Sequence, residues 1–378
     1  MSSAGTGAPD VAVIGAGIVG LACAAELARR GSTPIVIETH AGIARETSSR
    51  NSEVVHAGIY YPPDSLKARL CVEGRERLYA RCRELDIPHR RIGKLVVATQ
   101  ASERSALEDI AARAEASGAG ALSWLDAAEV GRREPRVRAH AGLWSPRSGI
   151  VDAHALAASY QAELESLGGA LALHTRVAGL EPRADGWSLR TESDRGERFD
   201  LEVPRVVNAA GLWSDRIAEL AGLDVDALGW RLRWCKGDYF GVAPRLGALT
   251  RHLVYPVPAA AGLGIHVTLD LGGRYRLGPD VEYVDELSYR VDPAKAERFA
   301  RAAARYLPEI RPRDLSPELA GIRPKLQGPG EAFRDFVIRE TGDLGAPGLV
   351  CLIGIESPGL TASAAIARLA ADLLQAAG

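Results

Sequence analysis

The segment SSRNSEVVHAGIYYPP, Ser48 to Pro63, gathers residue types that can do chemistry. It is too polar for a core strand and too sharply patterned for an ordinary loop. Two adjacent serines, Ser48 and Ser49, precede a single histidine, His56, which stands between small residues and the aromatic pair Tyr60 and Tyr61. An imidazole with an ordinary pKa of about 6.5 exchanges a proton near physiological pH, although a histidine fixed to backbone by hydrogen bonds fits the same pattern. A second constellation lies upstream. Gly15, Gly17 and Gly20 in GAGIVG follow the β-branched run DVAVIG and open the helical pattern LACAAELARRG, and Glu38 closes the next run, PIVIE. This is a βαβ unit in which the glycines allow a tight turn, close approach of backbone to a pyrophosphate, and close packing of helix on strand. Glu38, about 20 residues on, can accept hydrogen bonds from ribose hydroxyls. The unit is a dinucleotide-binding signature that does not distinguish NAD from FAD.

The rest of the chain must position these groups. With 378 residues, 47% of them hydrophobic and 25% charged, it can bury a large core and is expected to form two domains. A net charge of −2 gives no general attraction for nucleic acid or an anionic membrane, so an acidic ligand has to be met by local charges. The five cysteines, Cys23, Cys71, Cys82, Cys235 and Cys351, show neither CxxC nor metal-type spacing, which suits a reducing compartment and small buried apolar roles. MSSAGTGAPD lacks the pattern of a leader, and no apolar stretch reaches the roughly 18 residues of a membrane span, so a cytoplasmic protein is expected.

Apolar periodicity predicts helices at 64–85, 101–117, 153–168, 213–221, 293–306 and 358–377. Strands are predicted at 92–98, 171–175, 177–190, 199–208, 230–242, 263–270, 274–284, 318–326, 334–340 and 349–353. The early βαβ unit, the sheet-rich middle, and the final strand and helix predict a mixed α/β fold: a Rossmann-like domain interrupted by one with a large, mostly antiparallel sheet. The expected boundaries are 1–85, 150–225 and 340–378 for the nucleotide domain and 86–149 and 226–339 for the inserted one. Two further segments bear on the site. VVNAAGLWSD ends an apolar strand in small residues, which either lie against a cofactor or pack strand on helix. LVCLIGIESPGLT ends a buried strand and opens an alanine-rich helix, whose free N–H groups suit an electron-rich oxygen or a ring that becomes anionic.

Together, GAGIVGL, NAAGLWSD and GIESPGLT resemble the FAD-dependent oxidoreductases of the D-amino-acid oxidase superfamily. Within it, SSRNSEVVHAGIYYPPDSLKARLCVEG, VYPVP…GLGIHVTLDLGG, GIRPKLQGPGEAFRDFVI and LIGIESPGLTAS are similar to the L-2-hydroxyglutarate dehydrogenase (oxidase) family. The resemblance spans nearly the whole chain and implies FAD rather than NAD. It implies that Gly15, Gly17, Gly20, Glu38 and the backbone near Val177 hold the adenine half, with Ser48 and Ser49 near the pyrophosphate or flavin. Ala210, Gly211 and Trp213 would line the tunnel, and Gly354, Ser357, Gly359, Leu360 and Thr361 would hold the isoalloxazine.

The implied reaction is hydride transfer from a small 2-hydroxy acid, L-2-hydroxyglutarate, to flavin N5, giving 2-oxoglutarate. A base must then take the hydroxyl proton. His56 is the first candidate and His266, in GIHVTLD, the rival. The substrate carboxylates would meet Arg323, Lys236, Lys325 or Lys67, and Tyr60, Tyr61, Tyr239 and Tyr255 could line the pocket. One departure bears on the substrate: relatives often carry glycine where this chain has Glu53, whose carboxylate could repel an anion. The electron acceptor would be oxygen or a quinone, a quinone-linked enzyme sitting peripherally at the membrane. The alternatives are an amine or amino-acid oxidase, a glycerol-3-phosphate dehydrogenase-like enzyme, and a flavin-holding scaffold without turnover.

Overall fold

The computed structural model describes residues 8–258 and 264–377. Residues 1–7, on which the reading of the N-terminus partly rests, and residue 263, where the strand 263–270 was expected to begin, lie outside them.

The chain opens as predicted with strand Val11–Ile14, helix Ile18–Arg29 and strand Pro34–Ile37. These strands belong to a six-stranded sheet in the order Val337–Thr341, Ala346–Ile353, Arg205–Asn208, Val11–Ile14, Pro34–Ile37, Ala170–Ala172. All neighbours are parallel except the first pair. Alternate side chains go to opposite faces, as the strand period of two requires. Val11, Val13, Val207, Val350 and Leu352 join a core with helices Ile18–Arg29, Leu66–Glu84, Ala153–Ser166 and Gly359–Ala376. Ala12, Ile14, Val206, Leu349 and Cys351 face the other way, against an antiparallel three-stranded sheet of Thr175–Arg183, Gly186–Ser193 and Arg198–Val203. The parallel sheet is thus buried on both sides, which accounts for its near-continuous apolar runs.

Most of the middle of the chain builds a nine-stranded sheet that is antiparallel except where Leu253–Pro256 lies parallel to Lys94–Ala98. Its long central ladder pairs Arg233–Val242 with Leu315–Lys325. Leu95, Val97, Phe240, Val254 and Leu277 pack on Phe299, Ala300 and Ala303 of helix Ala296–Ala303. Across the sheet, Val96, Ala98 and Leu143 meet helix Arg104–Ala116, and the same side carries Ala57 and Ile59 of the histidine segment.

Three expected strands are broken. The run 177–190 is a hairpin, Arg183 pairing with Gly186 around a two-residue turn. The run 199–208 divides at Pro204: Val203 pairs with Trp187 in the small sheet, and Arg205 pairs with Val11 in the parallel sheet. Proline has no N–H for either ladder, so it marks the change of sheet. The run 274–284 divides at Gly278 and Pro279 into Tyr275–Leu277 and Glu282–Val284. Helix Ala127–Arg133 and the strands Val54–Val55, His89–Arg90, Ser123–Asp126, Ala141–Ser145, Gly149–Val151 and Leu253–Pro256 were not foreseen, since elements of two to seven residues leave little periodicity to read.

The turn after the first strand is tight. A Cβ on Gly20 would lie 2.0 Å from the carbonyl oxygen of Gly15, and one on Gly15, whose φ is +104°, would lie 2.7 Å from that of Ala209. Alanine is the better helix former by about 1 kcal/mol, but overpacking against fixed backbone typically costs about 1–3 kcal/mol. Gly20→Ala is therefore expected to lower the melting temperature; an unchanged or higher value would mean that helix and strand can separate there.

Candidate active site

A cavity of about 1240 Å³, its open mouth included, lies where the carboxyl ends of three neighbouring parallel strands meet the large sheet. Residues just beyond those strands line it: Gly17 and Ile18, Ala209 and Gly211, and Ile355 to Leu360. The opposite wall comes from Gly237 and Tyr239, Tyr255, His266, and Gly321 to Pro324, and the segment Thr47–His56 runs between the two. Crevices at the carboxyl ends of parallel strands are where such folds bind ligands.

Helices Ile18–Arg29 and Gly359–Ala376 both begin on this cavity, and neither N-cap residue, Gly17 or Pro358, supplies a side-chain cap. Ser48 Oγ accepts from Ile18 N–H at 3.0 Å, and the remaining first-turn groups present partial positive charge to the cavity. A Cβ on Gly17 would stand 3.2 Å from Ser48 Oγ and would protrude into the space a pyrophosphate would take. Glu38, nearly buried, accepts from Ala16 N–H at 2.8 Å and His40 N–H at 2.9 Å, so its carboxylate is fixed at the end of the second strand. These residues fit FAD: two helix starts with free first-turn N–H groups for its diphosphate and its ring, a side-chain-free approach at Gly17, and an oriented carboxylate.

Gly17, Ser48, Gly211, Ser357, Gly359 and Leu360 stand on the cavity wall as expected, and several companions do not. Gly15 and Gly20 pack the turn beneath it. Ser49 points back to the carbonyl of Glu46, whereas Thr47 takes a place on the wall. Ala209 rather than Ala210 lines the cavity, and Trp213 faces outward, its indole edge-on to Trp234 and bonded to Glu46, because the short helical turn Gly211–Trp213 rotates it away. Val177 is buried between the parallel sheet and the small sheet. Gly354 meets Leu326, and Thr361 is buried and structural: its hydroxyl accepts from His56 N–H at 3.0 Å and donates to Val54 C=O at 3.4 Å.

That clamp fixes the His56 backbone, and its ring lines the cavity, where Nε2 lies 3.4 Å from Ser357 Oγ, itself 3.4 Å from Tyr61 Oη. Burial, then the charge of Lys94 and the presence of His266, pushes the His56 pKa well below its ordinary value. His266 is fully buried and stacked on Tyr255, ring centroids 3.7 Å apart. Burial first, then Lys94, brings its pKa down to about 3, with the backbone of Gly264, near the ring but off hydrogen-bond geometry, offsetting part of the effect. Both imidazoles are therefore neutral at physiological pH, the form that accepts a proton.

Of the expected cations, only Arg323 is on the cavity wall. Its guanidinium donates to the carbonyls of Cys235, Lys236 and Asp280 at 3.1, 2.9 and 2.7 Å and pairs with no carboxylate among the described residues. Lys236 is directed away by the strand alternation and pairs with the buried Asp238 at 3.2 Å. Lys67 and Lys325 both hold Glu356, at 3.0 and 2.9 Å. Burial would raise the Glu356 carboxyl, but the two lysines outweigh it and keep it ionised. Neither lysine is thus free for a substrate. Glu53 does not line the cavity: its carboxylate accepts from Ala153 N–H at 3.2 Å. Its φ of +55° lies in the left-handed region that glycine adopts most readily. Tyr239 and Tyr255 line the cavity, and Tyr60 stands behind Tyr255 beside Lys94. Lys94, Arg50, Asn51 and Glu356 were not singled out from the sequence. The signal for Lys94 was a charge opening a wholly apolar strand, KLVVA.

Residues 10–373 match the family model described as FAD dependent oxidoreductase, and the chain belongs to that family. Among its curated relatives, L-2-hydroxyglutarate dehydrogenase, mitochondrial, of Arabidopsis thaliana is 39% identical, the match covering 95% of this chain and 82% of the relative. The human enzyme of the same name is 31% identical over 99% of this chain and 90% of its own. Among solved structures, an L-alpha-glycerophosphate oxidase from Mycoplasma pneumoniae with FAD bound superposes with a TM-score of 0.87 at 27% identity, covering 98% of this chain and 95% of that one. The cofactor is accordingly FAD, and Gly17→Val, which puts a branched side chain at the diphosphate approach, is expected to yield folded, colourless protein. Normal flavin content in that variant, read from its absorbance, would contradict the placement of the diphosphate.

Proposed function

We propose that the protein oxidises L-2-hydroxyglutarate to 2-oxoglutarate, with His56 as base and Arg323 as a carboxylate ligand. The observation that carries this reading is the meeting on one cavity wall of two helix starts whose N-cap residues offer no side-chain cap, a neutral histidine, and an arginine that among the described residues has no carboxylate partner. The relatives named for this substrate support the choice of acid. FAD, when bound, supplies the acceptor for the hydride that leaves C2 with its bonding electron pair. As that bond breaks, the hydroxyl oxygen forms the carbonyl, and its proton needs a neutral base; in this reading His56 Nε2, on the cavity wall beside Ser357, takes it. Arg323 orients a carboxylate in a fixed direction because its other donors are already anchored on backbone carbonyls.

The proposed cofactor domain is 1–85, 150–225 and 340–378, and the substrate domain is 86–149 and 226–339. Apart from residues 337–339, the strands of the parallel sheet fall in the first set and those of the nine-stranded sheet in the second. The five cysteines are free and buried, which supports a reducing compartment, the cytoplasm in our reading, although several relatives are named mitochondrial. Among the described residues no helix is long and apolar enough to cross a membrane.

Anaerobic mixing with a panel of 2-hydroxy acids, amino acids and glycerol 3-phosphate, followed by flavin bleaching, tests the substrate; the last is included because of the glycerophosphate oxidase likeness. Admitting oxygen or a quinone to the bleached enzyme then reads the acceptor. L-2-hydroxyglutarate is expected to bleach fastest, and faster bleaching by an amino acid would favour the amine-oxidising reading.

Loss of a positioned base typically slows proton transfer about 10²–10⁴-fold, so His56→Ala should slow bleaching by that order with flavin retained. His266→Ala should slow it less. Because the His56 pKa is lowered, its neutral form persists through pH 6.5, and the acid-side fall in native rate should lie well below that pH and vanish in His56→Ala. A fall centred at 6.5 or above, or one that survives in the variant, would assign the base elsewhere.

Arg323→Leu should raise the substrate concentration for half-saturation by the equivalent of about 2–5 kcal/mol with FAD still bound. Unchanged saturation would remove Arg323 from the substrate site.

A further inference from the structure

Lys94 opens strand Lys94–Ala98 and is 1% exposed, yet among the described residues it forms no ion pair and no side-chain hydrogen bond. The other buried lysines differ: Lys67 holds Glu356 and Lys236 holds Asp238. The Lys94 ammonium lies 3.9 Å from the ring centroid of Tyr255 and 5.4 Å from that of Tyr60. Tyr255 and its stacked neighbour His266 are cavity-wall residues, so Lys94 sits one side chain behind the wall. Among the described residues two further polar groups there lack partners: the buried hydroxyl of Tyr60 and the ring nitrogens of His266. A buried cation without a counterion is costly, and aromatic faces offset only part of that cost. The cluster thus offers an ammonium and hydrogen-bonding groups to an anion that the chain itself does not supply.

We propose that Lys94, with the Tyr60 hydroxyl, is the receptor for one carboxylate of a dicarboxylic 2-hydroxy acid, Arg323 receiving the other. The inference rests on the substrate reading above and extends it: it explains selection of a diacid over a monoacid by two separate cations. The ammonium lies over the Tyr255 ring, behind the wall, so receiving the carboxylate requires the flexible lysine stem to swing past that ring. Facing Lys94 are His56 and Tyr60 from the segment 51–63, Cys71 from helix Leu66–Glu84, and Tyr255 and His266 from the large sheet. No carboxylate is among them. Burial brings the Lys94 pKa down to about 7, the Cys71 thiol offsetting the effect slightly. In the resting enzyme at pH 8 the amine is then mostly neutral, and an arriving carboxylate draws a proton onto it. His56 and His266, pushed lower still, stay neutral at that pH.

The test is calorimetric titration of the FAD-loaded enzyme with glutarate, a diacid with no hydroxyl to oxidise, at pH 8 in two buffers of different ionisation heat. Native enzyme is expected to take up nearly one proton per glutarate bound, and its affinity should weaken by up to about tenfold per pH unit above 7. Lys94→Met, which replaces a buried amine by an apolar chain of similar length, should melt no lower than native protein. It should take up almost no proton, and its half-saturation for L-2-hydroxyglutarate should rise about 30-fold or more while the limiting rate of bleaching changes far less. Glutarate binding to native enzyme without proton uptake would overturn the assignment, as would native-like uptake or saturation in Lys94→Met, while rapid native bleaching by L-2-hydroxyglutarate would leave the substrate reading standing. Failure of native enzyme to bleach with L-2-hydroxyglutarate would sink that reading and this inference with it.

Discussion

Two helix starts whose N-cap residues, Gly17 and Pro358, supply no side-chain cap open on one cavity. Orphan N–H groups at a buried helix end must find acceptors, and here they are turned toward a common space instead of being closed off. That constraint organises the rest of the protein. Gly15 and Gly20 bring the first helix hard against its strand, so its start stays level with the carboxyl ends of the parallel strands. The last strand, parallel to Arg205–Asn208, delivers the second helix to the same level. The two faces of the sheet are covered by helices on one side and the small antiparallel sheet on the other, leaving the crevice at its end as the place for a ligand.

The reacting side of the cavity depends on a link between sequence-distant parts. Thr361, in the first turn of the last helix, holds His56 N–H and the carbonyl of Val54, and Gly321 of the large sheet leaves no room for a Cβ beside the carbonyl of Arg50. The segment 47–56 is thus tied to both halves of the molecule, and the His56 backbone cannot shift without breaking that tie. Charges around it are sorted by partner. Glu356 is neutralised by two lysines and Asp238 by Lys236 and Lys295, whereas Arg323 and Lys94 keep no carboxylate of their own among the described residues. An arginine on the wall and a lysine one side chain behind it, both without such a partner among neutral imidazoles and tyrosines, suit an anionic substrate.

Much of this was legible in the sequence wherever a local pattern carries the physics. The turn Gly15, Gly17, Gly20 with Glu38 reads directly because backbone clearance and a fixed carboxylate depend on neighbours in the chain. His56 was singled out by residue type, and Ser48, Gly211, Ser357, Gly359 and Leu360 by resemblance, and all six line the cavity. What the sequence hid is pairing between distant residues. Nothing near Lys325 or Lys67 reveals that both would be claimed by Glu356, and nothing near Lys236 reveals which way its strand faces. The isolation of Lys94 is likewise visible only once the neighbouring strands and the segment 51–63 have closed over it. Boundaries failed where one residue changes the sheet, as Pro204 does, and where strands are too short to show a period.

The central claim is that this cavity removes hydride from C2 of L-2-hydroxyglutarate while His56 takes the hydroxyl proton. The most direct measurement is anaerobic stopped-flow reduction of the bound FAD by L-2-hydroxyglutarate carrying either hydrogen or deuterium at C2. The account predicts rapid bleaching that deuterium slows severalfold, with a much slower reaction from the D enantiomer, whose C2–H bond would point away from the ring. Bleaching insensitive to deuterium would put another step in control, and an oxidised flavin left unchanged by the L enantiomer would contradict the account.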